Sequence, residues 1–159
     1  MNLTGVLLLA AGAAVGASPI VTARWSCADA GGEYTYLSGD VCVADEACEI
    51  HAERAYVFLD GTNELKKVVA FGGVAVTNGA RRAYGDAVSY FSDEGLVVVS
   101  AGAGRSAEVR EGADDQAASV RGSKVRFWTH TGQAEVLEAE VKAPGQKGAR
   151  GGFNRTFGK

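Results

Sequence analysis

Apolar and polar residues alternate over short runs through most of the chain. The runs "KVVAF", "GVAVT", "AVSYF", "LVVVS", "KVRFW" and "EVLEAEV" are β-branched or aromatic and only a few residues long. Between them stand "DGTN", "TNGA", "SDEG" and "THTG", which have the composition of hairpin turns. This pattern predicts an all-β domain of about twelve short strands. The stretch "KKVVAFGGVAVTNG" (Lys66 to Gly79) adds a detail, because two glycines interrupt it. Val69 and Phe71 share one parity, and Val74 and Val76 share the other. One unpaired residue at Gly72-Gly73 would bring both pairs to one face, so the spacing predicts a bulge that bends the strand.

The bend recurs. "SGDVCV" (Ser38 to Val43) resembles "FGGVAV" (Phe71 to Val76). The next segments line up as well: "AERAYVFLDG" from Ala52 matches "YGDAVSYFSDEG" from Tyr84, and "RGSKVRFWTHTG" from Arg121 forms a third copy. In each copy two apolar residues stand two apart: Ala55 and Val57, Val88 and Tyr90, Val125 and Phe127. Repeats of this length signal stacked supersecondary units. The expected architecture is therefore a rolled, twisted stack of antiparallel strands whose apolar rows face inward.

Composition divides the chain of 159 residues into parts. Residues 1–23 contain no Asp, Glu, Lys or Arg and end in small residues at "VGA" and "VTA". The apolar run from Val6 to Val15 is too short to span a bilayer comfortably. This is the pattern of a secretory signal, with cleavage after Ala17 or Ala23 and preference for Ala23, which would start the mature chain at Arg24. Residues 24–141 form the β domain. Residues 142–159, "KAPGQKGARGGFNRTFGK", carry five basic residues, five glycines and no acidic residue. That composition predicts a flexible tail, free in solvent or touching phosphates or an acidic surface. A net charge of -3 gives no case for a nucleic-acid partner.

Little in the sequence suggests catalysis. His51 and His130 lack a Ser or Cys partner, and Ser38, Ser89 and Ser100 have no nucleophile-elbow context. Glu53 and Asp86 fall at equivalent repeat positions, which for a polar residue at a strand start reads as structural. "SAGAGRSAEV" has a G-x-G but no strand-to-helix passage, so no dinucleotide cofactor is expected. Cys27, Cys42 and Cys48 lie early in the mature part, where an oxidising compartment would permit a disulfide. Cys42 and Cys48 flank "VADEA", and a three- or five-residue loop would set them opposite each other, whereas a two-residue loop would put them on opposite faces. A Cys42–Cys48 bridge and three free thiols both remain open. No metal site is expected, since the cysteine spacing is wrong and His51 has no partner at ligand spacing.

The alternation of "GDVCV", "HAERAYVFLDG", "GGVAV", "AYGDAVSYFSDEG" and "LVVVSAGAG" resembles the OstA-like, or LptA-type, lipopolysaccharide-transport domain over Tyr34 to Val136. The family's G-N-V asparagine is replaced by Asp40 in one copy and Gly73 in the other, and the third copy lacks a clear G-x-V strand. The resemblance implies a β-jellyroll, or β-taco, that carries lipopolysaccharide through the periplasm between the two membranes without being an enzyme. It also implies edge-strand pairing with other OstA-like domains and head-to-tail homo-oligomers. The inward rows then become candidate lining for the acyl chains of lipid A: Val41, Val43, Ile50, Ala55, Val57, Phe71, Val74, Val76, Val88, Tyr90, Val125 and Phe127. The competing reading is a secreted structural β-repeat protein with a closed core that assembles edge to edge and binds no lipid.

Overall fold

The computed structural model describes residues 6–7, 19–112, 117–142, 149–150 and 156–157. The other leader residues and most of the tail lie outside the described residues. What is described is all strand and turn, with antiparallel pairing throughout. In chain order the strands are β1 (Val6–Leu7), β2 (Ile20–Thr22), β3 (Trp25–Ala28), β4 (Tyr34–Ala44), β5 (Glu49–Leu59), β6 (Leu65–Asn78), β7 (Arg81–Phe91), β8 (Leu96–Ser100), β9 (Ala107–Glu111), β10 (Ala118–Gly122), β11 (Lys124–Trp128), β12 (Ala134–Leu137), β13 (Glu140–Lys142), β14 (Ala149–Arg150) and β15 (Thr156–Phe157).

The four long strands β4 to β7 organise the rest. Each is bent near its middle, and its two halves belong to different halves of one folded sheet. The first half of β4 pairs with β3 and the second half with β2. The first half of β7 pairs with β9 and the second half with β8. One half-sheet continues from β7 through β8, β11 and β12 to β15. The other continues through β9, β10 and β13 to β14. Beyond β7 the chain crosses between half-sheets instead of bending within a strand, at 101–106, at Ser123 and at Glu138–Ala139. The molecule is thus a folded sheet with a closed spine of bends and an opposite rim of hairpin turns. The fold class expected from the sequence is the one observed.

The bend is built where the sequence placed it, but by a different rule. The ladder slips between Ser38 and Val41, between His51 and Arg54, and between Phe71 and Val74. β4 and β6 each carry the extra residue, held by positive φ at Gly39 and Asp40 and at Gly72 and Gly73. In them the inward parity survives the bend: Val68 and Ala70 are buried before it, Val74 and Val76 after it. The parity changes on β5 and β7, from Ile50 and Ala52 to Ala55 and Val57, and from Ala83 to Val88 and Tyr90. Phe71 therefore faces outward. Its ring lies 6.4 Å from that of Tyr56, in an outer aromatic belt that also joins Trp25 to Tyr36 and Tyr36 to Tyr56.

Short strands from both ends of the chain join the sheet. Ile20–Thr22 pairs with the second half of β4, and Val21 is buried in the core. A mature chain starting at Arg24 would lose that strand. In the tail, Ala149–Arg150 pairs with β13 and Thr156–Phe157 with β12, so parts of the basic segment join the sheet.

Close approach at the spine leaves no room for side chains on certain strands. A Cβ on Gly85 would come within 2.6 Å of Val99 Cγ1 and 2.7 Å of the Ser100 carbonyl oxygen. A Cβ on Gly122 would strike the Leu137 carbonyl oxygen and stand 2.6 Å from Val136 Cγ1. Gly122→Ala is expected to cost about 2–4 kcal/mol in urea unfolding, because the obstacle is backbone. Gly61→Ala, with nothing near its Cβ, should stay within about 0.5 kcal/mol of the parent; equal losses in both would show that crowding at the crossing is unimportant.

Candidate functional site

The inner faces of the two half-sheets enclose one apolar cluster. Its residues lie in cross-strand rows that the register makes continuous. Nearest the spine, Leu37, Ala55, Ala70, Val88, Val99, Val125 and Val136 are successive partners from β4 to β12. One step toward the rim, Val57, Val68, Tyr90, Val97, Phe127 and Ala134 form a second row on the same half-sheet. On the facing half-sheet Val21, Val43, Ile50, Val76, Ala83, Val109 and Val120 form a third. Val41 and Val74 lie beside the bend on that inner face, opposite Ala52 and Gly85.

Eleven of the twelve residues singled out from the sequence are in this cluster, and none of the eleven is more than 2% exposed. The apolar pairs of the three sequence copies occupy equivalent places in the first two rows. Phe71 is the exception, because its parity on β6 turns it to the outer face. Sequence reasoning passed over Val68 and Ala70, whose parity was misassigned, and Val97, Val99, Val109, Val120 and Val136. The β-branched run "LVVVS" was a signal for two of these.

The spine-side row is mostly Ala and Val, whereas the rim-side row holds Tyr90 and Phe127. Two sheets joined at a bend diverge away from it, so larger side chains fill the wider part of the wedge.

Across the rim polar contacts join the half-sheets. The Tyr90 hydroxyl donates to Asp45 Oδ2 at 2.7 Å, and Asp45 sits in the turn between β4 and β5 on the opposite half-sheet. Asp45 is held in place because its Oδ1 accepts from Ala47 N at 2.8 Å and Cys48 N at 2.9 Å. Burial, with Asp45 beside it, pushes the Tyr90 phenol above its ordinary range, so it remains a donor. Arg81 is another link. Its guanidinium lies 5.7 Å from the Phe127 ring centroid of the facing half-sheet and 3.0 Å from Glu111 Oε1. Arg81 is the buried charged residue among the described residues, and its Nη1 has no hydrogen-bond partner.

The polar groups considered for chemistry have structural tasks. Asp86 accepts from Gly102 N at 2.7 Å and from Arg105 Nη1 at 2.5 Å, so it pins the crossing between β8 and β9. The Gly102 amide, then Arg105, holds its carboxyl below the usual range. Glu53 packs over Gly72. These contacts brace the bend and the crossing.

The three cysteines are unbridged, with Cys27 exposed, Cys42 half-buried and Cys48 buried. Cys42 stands opposite His51 on the outer face. Cys48 points inward, where burial and then the Asp45 charge push its thiol up to about 12. The hairpin thus sets Cys42 opposite His51 and not opposite Cys48. The same register also corrects the view of His51, because it brings Cys42, Glu49 and His51 together, with one ligand atom of each within 4.8 Å of the others.

The different environments give the thiols separable behaviour. Against maleimide at neutral pH, exposed Cys27 is expected to react first, half-buried Cys42 more slowly, and Cys48 only on unfolding, as read by mass spectrometry. Because the folded pKa of Cys48 is raised, the neutral thiol is the stabilised form. Its contribution is complete below the ordinary value of 9.0 and is lost as pH rises toward about 12. Labelling of Cys48 as fast as Cys27 in the folded protein would contradict this placement.

The family described as "LptA/(LptD N-terminal domain) LPS transport protein" matches residues 21–133 of the chain. Among solved structures, the chain is similar to LptH of Pseudomonas aeruginosa, described as the LptA-homologous periplasmic component of the conserved lipopolysaccharide transport device. The TM-score is 0.63 with 17% identity, covering 87% of this chain and 92% of that one, a likeness of fold. No curated protein sequence matches the chain.

Proposed function

We propose that this chain, which belongs to the family of LptA and LptD N-terminal-domain lipopolysaccharide (LPS) transport proteins, binds the lipid A part of LPS in the periplasm and passes it along a bridge between the inner and outer membranes. The observation that carries this reading is the continuity of the inward rows. Among the described residues they run from β4 to β12 on one half-sheet and from β2 to β10 on the other, without a buried charge except Arg81 at the rim. A row of β-branched and aromatic side chains offers a path with no preferred stopping point, which suits a cargo that must move on. Each methylene transferred from water into such an interior is worth about 0.8 kcal/mol.

The rows of the two half-sheets pack on each other in one apolar cluster. Acyl chains must therefore take the place of side-chain contacts between the sheets, and the backbone ladders within each sheet can remain intact. The spine acts as the hinge, and the rim, held by Tyr90–Asp45 and Arg81–Phe127, is the side that parts. The packing of the rows on each other favours the competing reading, a structural β-repeat protein that assembles through its edges and holds no lipid. A photo-crosslinking residue in place of Phe127 separates the two. The transport reading expects an LPS adduct at Phe127 and little or none at outward Ser89. The structural reading expects no adduct at Phe127 in a protein that still sediments as oligomers.

Export and assembly belong to the same proposal. β3 is the outer edge of one half-sheet, and all four of its residues are exposed. A second copy, or another domain of the family, can add a strand there, giving head-to-tail oligomers. On the other half-sheet β1, from the leader, occupies the outer edge of β2. Cleavage after Ala17 would release β1 and keep β2, whereas cleavage after Ala23 would remove both. Intact-mass measurement of exported protein should therefore find Ser18 at the amino terminus; Arg24 would show that β2 is dispensable, and an uncleaved cytosolic chain would contradict export.

A further inference from the structure

Away from the interior, the outer face of the β4–β5 hairpin brings three ligand-bearing side chains to one point. Cys42 and His51 are direct cross-strand partners, and Glu49 stands two residues before His51 on the same face. Cys42 Sγ is 3.9 Å from His51 Nε2, and the same nitrogen is in hydrogen-bond contact with Glu49 Oε1. All three ligand atoms lie within 4.8 Å of one another. Bonds of roughly 2.0–2.3 Å to a tetrahedral ion set neighbouring ligand atoms about 3.3–3.8 Å apart. Only side-chain torsions need adjust to reach that spacing.

We propose that Cys42, Glu49 and His51 form a binding site for a divalent zinc-class ion on the outer face of the hairpin. The donor set is one thiolate, one imidazole nitrogen and one carboxylate oxygen. It matches an ion of borderline softness and does not suit magnesium or calcium, which take oxygen ligands. On binding, the Cys42 thiol loses its proton to solvent and the His51–Glu49 hydrogen bond opens to admit the ion. Three protein ligands leave a fourth position facing solvent, open to water or to a donor from another molecule. The strands that carry the ligands are hydrogen-bonded neighbours, so the backbone already fixes their separation. The proposal is independent of lipid carriage, since these side chains point away from the interior.

Cobalt(II) titration of the full-length protein under non-thiol reducing conditions provides the test, with zinc(II) as competitor. A thiolate-to-cobalt charge-transfer band should grow to one equivalent and disappear when zinc is added. Cys42→Ser should abolish the band, and His51→Ala should weaken binding by about tenfold or more. Cys27→Ser should leave both unchanged, as should Cys48→Ala. Thermal unfolding of each variant without metal shows whether the fold is intact, and the histidine variant provides the answer if the Cys42 variant does not fold. No charge-transfer band at one equivalent would overturn the proposal. So would a band that survives Cys42→Ser and is lost in Cys27→Ser.

Discussion

A strand that serves two sheets must change direction without giving up its hydrogen bonds on either side. β4 to β7 meet this constraint together, each inside the same narrow strip, and the strip becomes the spine. Backbone of opposite handedness is needed there, and Gly39, Gly72 and Gly73 supply it with no Cβ to oppose it. Asp40, also at positive φ, is held by its ion pair with Arg24. Where the chain crosses between half-sheets, the difficulty becomes one of space, and Gly122 meets it by having no side chain near the Leu137 carbonyl. Once the spine is set, the direction of every inward side chain is fixed by strand alternation.

The wedge shape comes from the same constraint. Small residues can occupy the apex, so Ala55 and Ala70 lie there, while Tyr90 and Phe127 fill the space toward the rim. At the rim, turns of one half-sheet meet side chains of the other, and the contacts become polar. Tyr90 belongs to both regions: its ring is part of an apolar row and its hydroxyl reaches Asp45 across the gap. The bends close one side of the core, and on the other side a few side-chain links hold the half-sheets together.

Much of this was legible in the sequence. The repeated apolar pairs identified three equivalent strands, and Gly72-Gly73 marked the bend, because strand alternation and glycine conformation are local properties. Inward parity on β6 was misread because Phe71 is large and apolar while Ala70 is small. Apolar size favours the core only where there is room, and here the aromatic ring found partners on the outer face. Charge-free composition places Val21 with the leader and carries no sign of its pairing with Val43. Pairing of Cys42 with His51 depends on the register of the hairpin, which "VADEA" left open between loop lengths. For the same reason the cluster with Glu49 was invisible: its spacing along the chain has meaning only once the strands are aligned. The tail strands beside β12 and β13 escaped notice because two-residue pairings leave no periodicity to read.

Parting of the rim is the claim on which lipid carriage depends. It can be measured as a distance between spin labels in the opposing turns, at Glu46 and Glu94, in a background without the native thiols. Both sites are exposed, and they belong to different half-sheets. If acyl chains lie between the rows, adding LPS should lengthen this distance, whereas a pair within one half-sheet, such as Glu94 with His130, should keep its separation. An unchanged rim distance with LPS demonstrably bound would contradict the account and place the lipid elsewhere on the protein.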